Sequence, residues 1–147
     1  MAYTLQLLHA NDLEGGVDAL DNAPNFAAIV DTLGDSHENT AIISSGDNYI
    51  PGVFFSTAAD FSFDDVFTDA YTRYYTEVAG LDEEDVAALD LARGPGRVDI
   101  SIMNLIGFDA SAIGNHEFDA GTSAFAEIIG AAADEGAIEW TGSWFPY

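Results

Sequence analysis

The 147-residue sequence contains no cysteine and no lysine, and it has only three arginines. The absence of cysteine excludes disulfide bonds, thiolate zinc ligands and cysteine catalysis. No apolar run reaches the roughly 18 residues that a membrane-spanning helix needs, so we expect no membrane segment. The N-terminal residues lack the basic region and apolar core of a signal peptide.

Acidic residues dominate the charge of the chain. There are 26 Asp and Glu residues, and the formal net charge is −23. The field of such a protein repels nucleic acid polymers and anionic membranes, and it attracts divalent cations. Salt-adapted and extracellular proteins both have this composition. The 48% apolar content predicts a folded chain, and the length is that of one domain.

Hydrophobic periodicity predicts an α/β fold with a mostly parallel sheet and flanking helices, because strands alternate with helices. Aromatic residues spaced three or four apart in the second predicted helix indicate core packing rather than ligand stacking. A long loop is expected over residues 10–24, ending at Pro24. The predicted strands cover residues 4–9, 40–45, 109–113 and 138–141, and the predicted helices cover residues 25–34, 63–78, 82–92, 98–106 and 122–133.

Metal-binding residue types follow three of the predicted strands. Asp12 and Glu14 follow the first, Asp47 follows the second, and Asn115 and His116 follow the third. The carboxyl ends of parallel strands meet at one edge of a sheet, where sites form. Oxygen and imidazole ligands suit divalent metals, and a bridging carboxylate can hold two of them together. Each residue alone is also compatible with a turn or cap, so the prediction depends on their joint occurrence.

Three motifs together resemble the calcineurin-like metallophosphoesterases, and within them the 5′-nucleotidase branch. They are His9-Ala10-Asn11-Asp12-Leu13-Glu14-Gly15-Gly16, Ser45-Gly46-Asp47-Asn48-Tyr49-Ile50-Pro51-Gly52 and Gly114-Asn115-His116-Glu117-Phe118-Asp119. The resemblance covers nearly the whole chain. It implies the first half of a four-layer αββα sandwich.

The resemblance also implies residue roles in a site with two divalent metal ions, whether manganese, magnesium, calcium, zinc or iron. Asp12 would bind the first metal, Asp47 would bridge the two, and Asn115 would bind the second. His116 would be the catalytic imidazole, oriented by Asp119. The implied substrate is a small phosphate ester or nucleotide, hydrolysed by a metal-activated hydroxide.

The chain departs from the family pattern at two points. Glu14 stands where the family usually has His; as a ligand it would favour manganese, magnesium or calcium, and the alternative is that it points away from the metals. The family's further histidines, which lie downstream, are absent. We therefore expect residues 1–147 to be the N-terminal part of a metallophosphoesterase domain. The missing C-terminal half, with any nucleotide-binding domain, or a partner chain would complete the site.

Three functional interpretations follow from the sequence. The first is a phosphomonoesterase of nucleotide catabolism, either a 5′-nucleotidase or an alkaline-phosphatase-like enzyme. The second is a cyclic-nucleotide phosphodiesterase of the same family. The third is a non-catalytic, acidic fragment or surface protein that binds divalent cations. Family resemblance and acidity favour a periplasmic or extracellular location. His9 is expected either to support a metal ligand or to be structural, rather than to bind a metal itself, and His37 is expected to lie on the surface.

Overall fold

The computed structural model describes residues 3–13 and 17–147. A π-helical turn, Tyr74–Val78, continues the third helix, and a 3-10 turn, His116–Phe118, follows the third strand. The strands are β1 (Gln6–Ala10), β2 (Thr40–Ser44), β3 (Ala110–Ser111), β4 (Ala132–Asp134) and β5 (Ala137–Trp140). The helices are α1 (Val17–Gly34), α2 (Val53–Thr57), α3 (Phe63–Arg73), α4 (Glu83–Val86), α5 (Arg97–Ile106) and α6 (Thr122–Ile129).

A parallel sheet in the order β1-β2-β3 organises the fold. Leu8 pairs with Ile42, and Ile43 pairs with Ala110. This sheet and its flanking helices confirm the predicted α/β class with a parallel sheet. The fourth predicted strand exists as β5, but it pairs with β4 in a separate antiparallel sheet.

Helix α1 shows that the prediction of a loop up to Pro24 was wrong. The helix begins at Val17 and contains Pro24 in its interior. Proline removes one main-chain hydrogen bond, which favours a helix end in isolation. Tertiary packing outweighs that loss here: Val30 is 5% exposed, and the Phe26 ring lies 6.4 Å from the Phe108 ring.

The hairpin of β4 and β5 corrects two further helix predictions. Helix α6 ends at Ile129 instead of continuing to residue 133, since the next residues form β4. Glu135 and Gly136 have φ angles of 45° and 94°, which suit a two-residue turn between antiparallel strands. Helix α4 ends early because the chain after it lies along β5, where Ala92 N donates to Glu139 O at 2.8 Å.

Aromatic side chains fill the main core, as the spacing over residues 63–78 predicted. Phe67 is 3% exposed, and the Tyr71 and Trp140 side chains are fully buried. The Trp140 ring lies 6.0 Å from Phe67 and 6.3 Å from Tyr71, both edge-on, a favourable aromatic geometry. By contrast, Leu5, just before β1, and Leu7, within β1, remain 57% and 55% exposed. Across the two described ranges, no helix has the length and apolarity to cross a membrane.

Candidate active site

The loops that follow the three parallel strands lie side by side. Asp12 N, after β1, donates to Gly46 O, after β2, at 3.4 Å. Ala112 N, after β3, donates to Ser44 O at 2.9 Å. The main chain thus brings the Asp12, Asp47 and His116 loops to one edge of the sheet.

Asp12 and Asp47 both have left-handed backbone conformations, with φ angles of 52° and 53°. This region is uncommon for residues with a side chain, and a residue held there costs about 1–3 kcal/mol. Asp tolerates the conformation better than most residues do. Such backbone strain concentrates at functional sites, and here it occurs at two neighbouring strand ends.

Gly46 and Gly114 allow the loops after β2 and β3 to touch. A Cβ atom at Gly46, whose φ angle is 97°, would lie 2.8 Å from the Cα atom of Gly114. A Cβ atom at Gly114 would lie 2.6 Å from the main-chain nitrogen of Asp47. Larger residues would force the two loops apart, so these glycines fix the approach of Asp47 to the His116 loop.

Glu117 joins the same two loops from beneath the surface. Its side chain is 0% exposed. Oε2 accepts from Asp47 N at 3.0 Å and from Gly114 N at 2.8 Å. Oε1 accepts from Asn48 N at 2.9 Å and from Asn48 Nδ2 at 3.2 Å. One carboxylate therefore satisfies four N–H groups from both loops.

Asn48 extends this network into the sheet and the C-terminal segment. Its Oδ1 accepts from Ser44 Oγ at 2.5 Å, and its Nδ2 donates to Ser111 Oγ at 2.8 Å. Nδ2 also donates to the Tyr147 hydroxyl at 3.2 Å. Burial, with the nearby Glu117 charge as a smaller cause, raises the pKa values of Tyr49 and Tyr147 far above the ordinary tyrosine range. Both phenols therefore stay neutral beside the carboxylate.

His116 is held by its backbone and by its ring. His116 N donates to Asp47 Oδ1 at 2.9 Å, and the ring Nδ1 lies 2.6 Å from Asp119 Oδ2. A carboxylate only accepts hydrogen bonds, so Nδ1 carries the hydrogen and Nε2 becomes the nitrogen for proton exchange. The side chains of His116 and Asp119 are 31% and 41% exposed, so this pair is accessible to a small molecule.

The remaining candidate residues have different surroundings. Asn115 is exposed at the start of the 3-10 turn, where its carbonyl accepts from Phe118 N at 3.2 Å. His9 is exposed, and its Nε2 lies 2.6 Å from Ser45 Oγ. His37 is exposed, as predicted. Glu14 lies outside the described residues.

The donor chemistry at this edge fits a hard divalent cation. Asp12 and Asp47 offer carboxylate oxygens and Asn115 offers an amide oxygen, which magnesium, manganese and calcium accept. Within residues 3–13 and 17–147, no group of three or more His, Cys, Asp or Glu side chains is arranged to hold a metal ion. The described residues therefore supply suitable donors but only part of a coordination shell.

Sequence reasoning did not assign roles to Glu117 and Asn48. Both stand inside the motifs, but their function depends on burial and on contacts between residues about 70 positions apart, which no local pattern encodes.

A comparison with protein-family models gives no match, and no curated protein sequence matches the chain. Functional conclusions therefore depend on the residues and their geometry.

Proposed function

We propose that this chain carries the N-terminal part of a metal-dependent phosphoester hydrolase acting on small phosphomonoesters such as nucleotides. The observation that carries the proposal is the double attachment of His116, whose main-chain N–H binds Asp47 Oδ1 and whose ring binds Asp119. An imidazole oriented by a carboxylate is a general acid or base, and here it is fixed directly to a potential metal-bridging carboxylate.

Asp12, Asp47 and Asn115 would hold the divalent cations, with Asp47 between them. The chemistry that such cations supply when bound is activation of a water molecule and stabilisation of charge on the phosphoryl oxygens. The left-handed backbones of Asp12 and Asp47 support this assignment, because strain of this kind persists where function requires it.

The protein's own contribution to catalysis would be proton transfer at His116. Asp119 holds Nδ1–H, so the ring presents Nε2 toward a bound ester. A proton held on Nε2 is then transferred to the leaving-group oxygen as the phosphorus–oxygen bond breaks. Because Asp47 accepts from His116 N, a displacement of either residue moves the other.

Exposed leucines at β1 support the finer architectural part of the proposal. Leu7 in β1 and Leu5 just before it are more than half exposed at the edge of the parallel sheet. Exposed apolar sheet faces mark surfaces that another layer covers. A second sheet packed there would give the four-layer αββα sandwich, with the further metal ligands in the additional half or in a partner chain.

The experiment is manganese-dependent hydrolysis of p-nitrophenyl phosphate by the chain and by Asp47→Asn. The asparagine keeps an Oδ1 that accepts from His116 N, so the loop contact survives while the anionic ligand is lost. We expect weak activity in the unmodified chain and at least about a 100-fold loss in the variant, since even indirect metal partners contribute about 10–100-fold. Asp35→Asn, at an exposed position, is the matched control and should change nothing.

Manganese binding, measured by electron paramagnetic resonance, separates the competing interpretations. His116→Asn should abolish hydrolysis but leave manganese binding intact, because His116 is proposed as an acid rather than a ligand. Manganese binding without hydrolysis in the unmodified chain would support the cation-binding alternative. Faster cleavage of a cyclic nucleotide than of the monoester would favour the phosphodiesterase. Hydrolysis equal in Asp47→Asn and the unmodified chain would refute the proposal.

A further inference from the structure

Two of the three arginines in the chain line one cavity away from the acidic edge. The cavity has a volume of about 300 Å³ and lies between α2, the loop after α4 and α6. This is at the lower end of the size range of small-molecule sites. Its lining includes Phe55, Arg93, Pro95, Arg97, Glu127 and Ile128. The two arginines place positive charge at this cavity, although the chain as a whole has a net charge of −23.

Arg97 is anchored in a way that leaves part of its guanidinium available. Nη1 donates to the carbonyl oxygen of Ala92, and the guanidinium lies over the Trp140 ring at 4.8 Å from its centroid. Among the described residues, no carboxylate lies within ion-pair distance of Arg97, whereas Arg73 and Arg93 each have one. Burial lowers the pKa of Arg97, and the charges of Glu139 and Glu127 partly oppose this shift.

The Nε and Nη2 edge of Arg97 is the edge that recognises oxyanions. Within the described part of the chain, neither nitrogen donates to a protein acceptor. Neither is a fully buried nitrogen without a partner, so each keeps some solvent exposure, and Arg97 lines the cavity. Together they match the two oxygens of a carboxylate or phosphate in a bidentate geometry.

Gly94 keeps this edge open. A Cβ atom at Gly94 would lie 2.7 Å from Arg97 Nε and 3.2 Å from its Cζ atom. The backbone of Gly94 is outside the left-handed region, so alanine would be accepted by the main chain and would press on the Arg97 side chain, at Cδ as well as at the guanidinium. The absence of a side chain at residue 94 therefore leaves the space that the Arg97 side chain occupies.

We propose that this cavity binds a singly charged carboxylate with a compact apolar body, held by the Nε and Nη2 edge of Arg97. Phe55, Pro95 and Ile128 would contact the apolar body. Glu127 contributes a negative charge to the lining, and Arg93 is already paired with Asp64 at 2.6 Å. A phosphate dianion would be repelled more strongly than a carboxylate by Glu127 and by the field of the acidic chain. The monocarboxylate is therefore the favoured ligand class.

The test is titration with cyclohexanecarboxylate at constant ionic strength, followed by tryptophan fluorescence because Arg97 stacks on Trp140. Cyclohexanecarboxamide has the same body without the charge, and inorganic phosphate has the charge without the body. We expect saturable binding of the carboxylate at one site. The amide and phosphate should bind on the order of tenfold more weakly or worse.

Three variants test the assigned residues. Arg97→Lys keeps the charge but loses the bidentate edge, and Gly94→Ala obstructs that edge; both should weaken carboxylate binding on the order of tenfold or more. Arg73→Gln removes the same charge from an exposed arginine and should leave binding unchanged. If Arg97→Lys does not fold, Gly94→Ala still tests the site.

Several outcomes would overturn the proposal. The first is the absence of a saturable fluorescence response to the carboxylate in the unmodified chain. The second is phosphate binding equal to or tighter than that of the carboxylate. The third is an equal loss of carboxylate binding in Arg73→Gln and Gly94→Ala. The last result would identify general electrostatic attraction rather than a built site. None of these readouts depends on hydrolysis at the acidic edge.

Discussion

Replacing Glu117 with glutamine is the sharpest perturbation of the candidate active site that leaves every proposed ligand unchanged. The two side chains have nearly the same shape, so the substitution leaves no large cavity. Both oxygens of Glu117 accept, and each receives two N–H groups. Glutamine keeps one accepting oxygen and places an NH2 group where the other stood.

The magnitude follows from counting the donors that lose their acceptor. If the amide nitrogen replaces Oε2, then Asp47 N and Gly114 N lose it. If it replaces Oε1, Asn48 N loses its acceptor, whereas Asn48 Nδ2 still donates to Ser111 Oγ and to the Tyr147 hydroxyl. Each buried donor left unsatisfied costs about 1–3 kcal/mol, so the second orientation is the less costly one and we expect a loss of about 1–3 kcal/mol. A loss of about 2 kcal/mol would lower Tm by roughly 4–8 °C.

Urea unfolding followed by circular dichroism measures this loss directly, with Glu38→Gln as the control because Glu38 is exposed. The control should stay within about 0.5 kcal/mol of the unmodified chain. A loss below about 1 kcal/mol in Glu117→Gln would refute the reasoning, since it would mean that an N–H group deprived of its Glu117 oxygen finds another acceptor without cost.

Two further predictions concern stability. Asp12→Gly should raise Tm by a few degrees, because glycine adopts the left-handed backbone without the roughly 1 kcal/mol strain. The same variant should lose manganese-dependent hydrolysis. A lower Tm would instead show that the Asp12 side chain stabilises the fold. The raised pKa values of Tyr49 and Tyr147 mean that the folded protein keeps protons that the unfolded chain releases above about pH 10. Their contribution to stability is therefore complete below that pH and falls above it. In tyrosinate absorbance, Tyr147→Phe should have one phenol fewer than the unmodified chain among those that ionise only on alkaline unfolding. An unchanged number of such phenols in Tyr147→Phe would contradict this.

Much of the fold could be predicted from the sequence because local chemistry decides it. Gly107 ends α5 with a φ angle of 90°, as its position after an apolar helical pattern predicted. The register of β1 and β2 likewise follows from two short apolar runs, and their parallel pairing follows from the helical pattern between them. The errors arose where tertiary contacts decide. Packing of Phe26 and Val30 keeps Pro24 inside α1, and pairing with β5 converts the end of a predicted helix into β4.

The candidate site, like the fold, could be predicted from the sequence only where local chemistry decides it. The placement of polar residues after strands could be read locally, because strand ends deliver their loops to a common edge. The left-handed backbones of Asp12 and Asp47 had no local signal beyond the tolerance of Asp for that region. Glu117 was least predictable, since a glutamate on a loop is usually solvated, and only the approach of two loops gives it four donors.

The contacts at the edge divide the proposed ligands into fixed and loosely held residues. Asp47 donates its N–H to Glu117 and accepts from His116 N, so both its backbone and its carboxylate are fixed before any cation binds. The energy that Glu117 supplies offsets the left-handed strain of Asp47. Among residues 3–13 and 17–147, the hydrogen bonds of Asp12 are a 3.4 Å main-chain bond to Gly46 and a side-chain contact with its neighbour Asn11. Because ordering a loosely held side chain costs entropy, a cation would bind first to the prearranged Asp47 side, and the loop after β1 would bear most of the ordering cost.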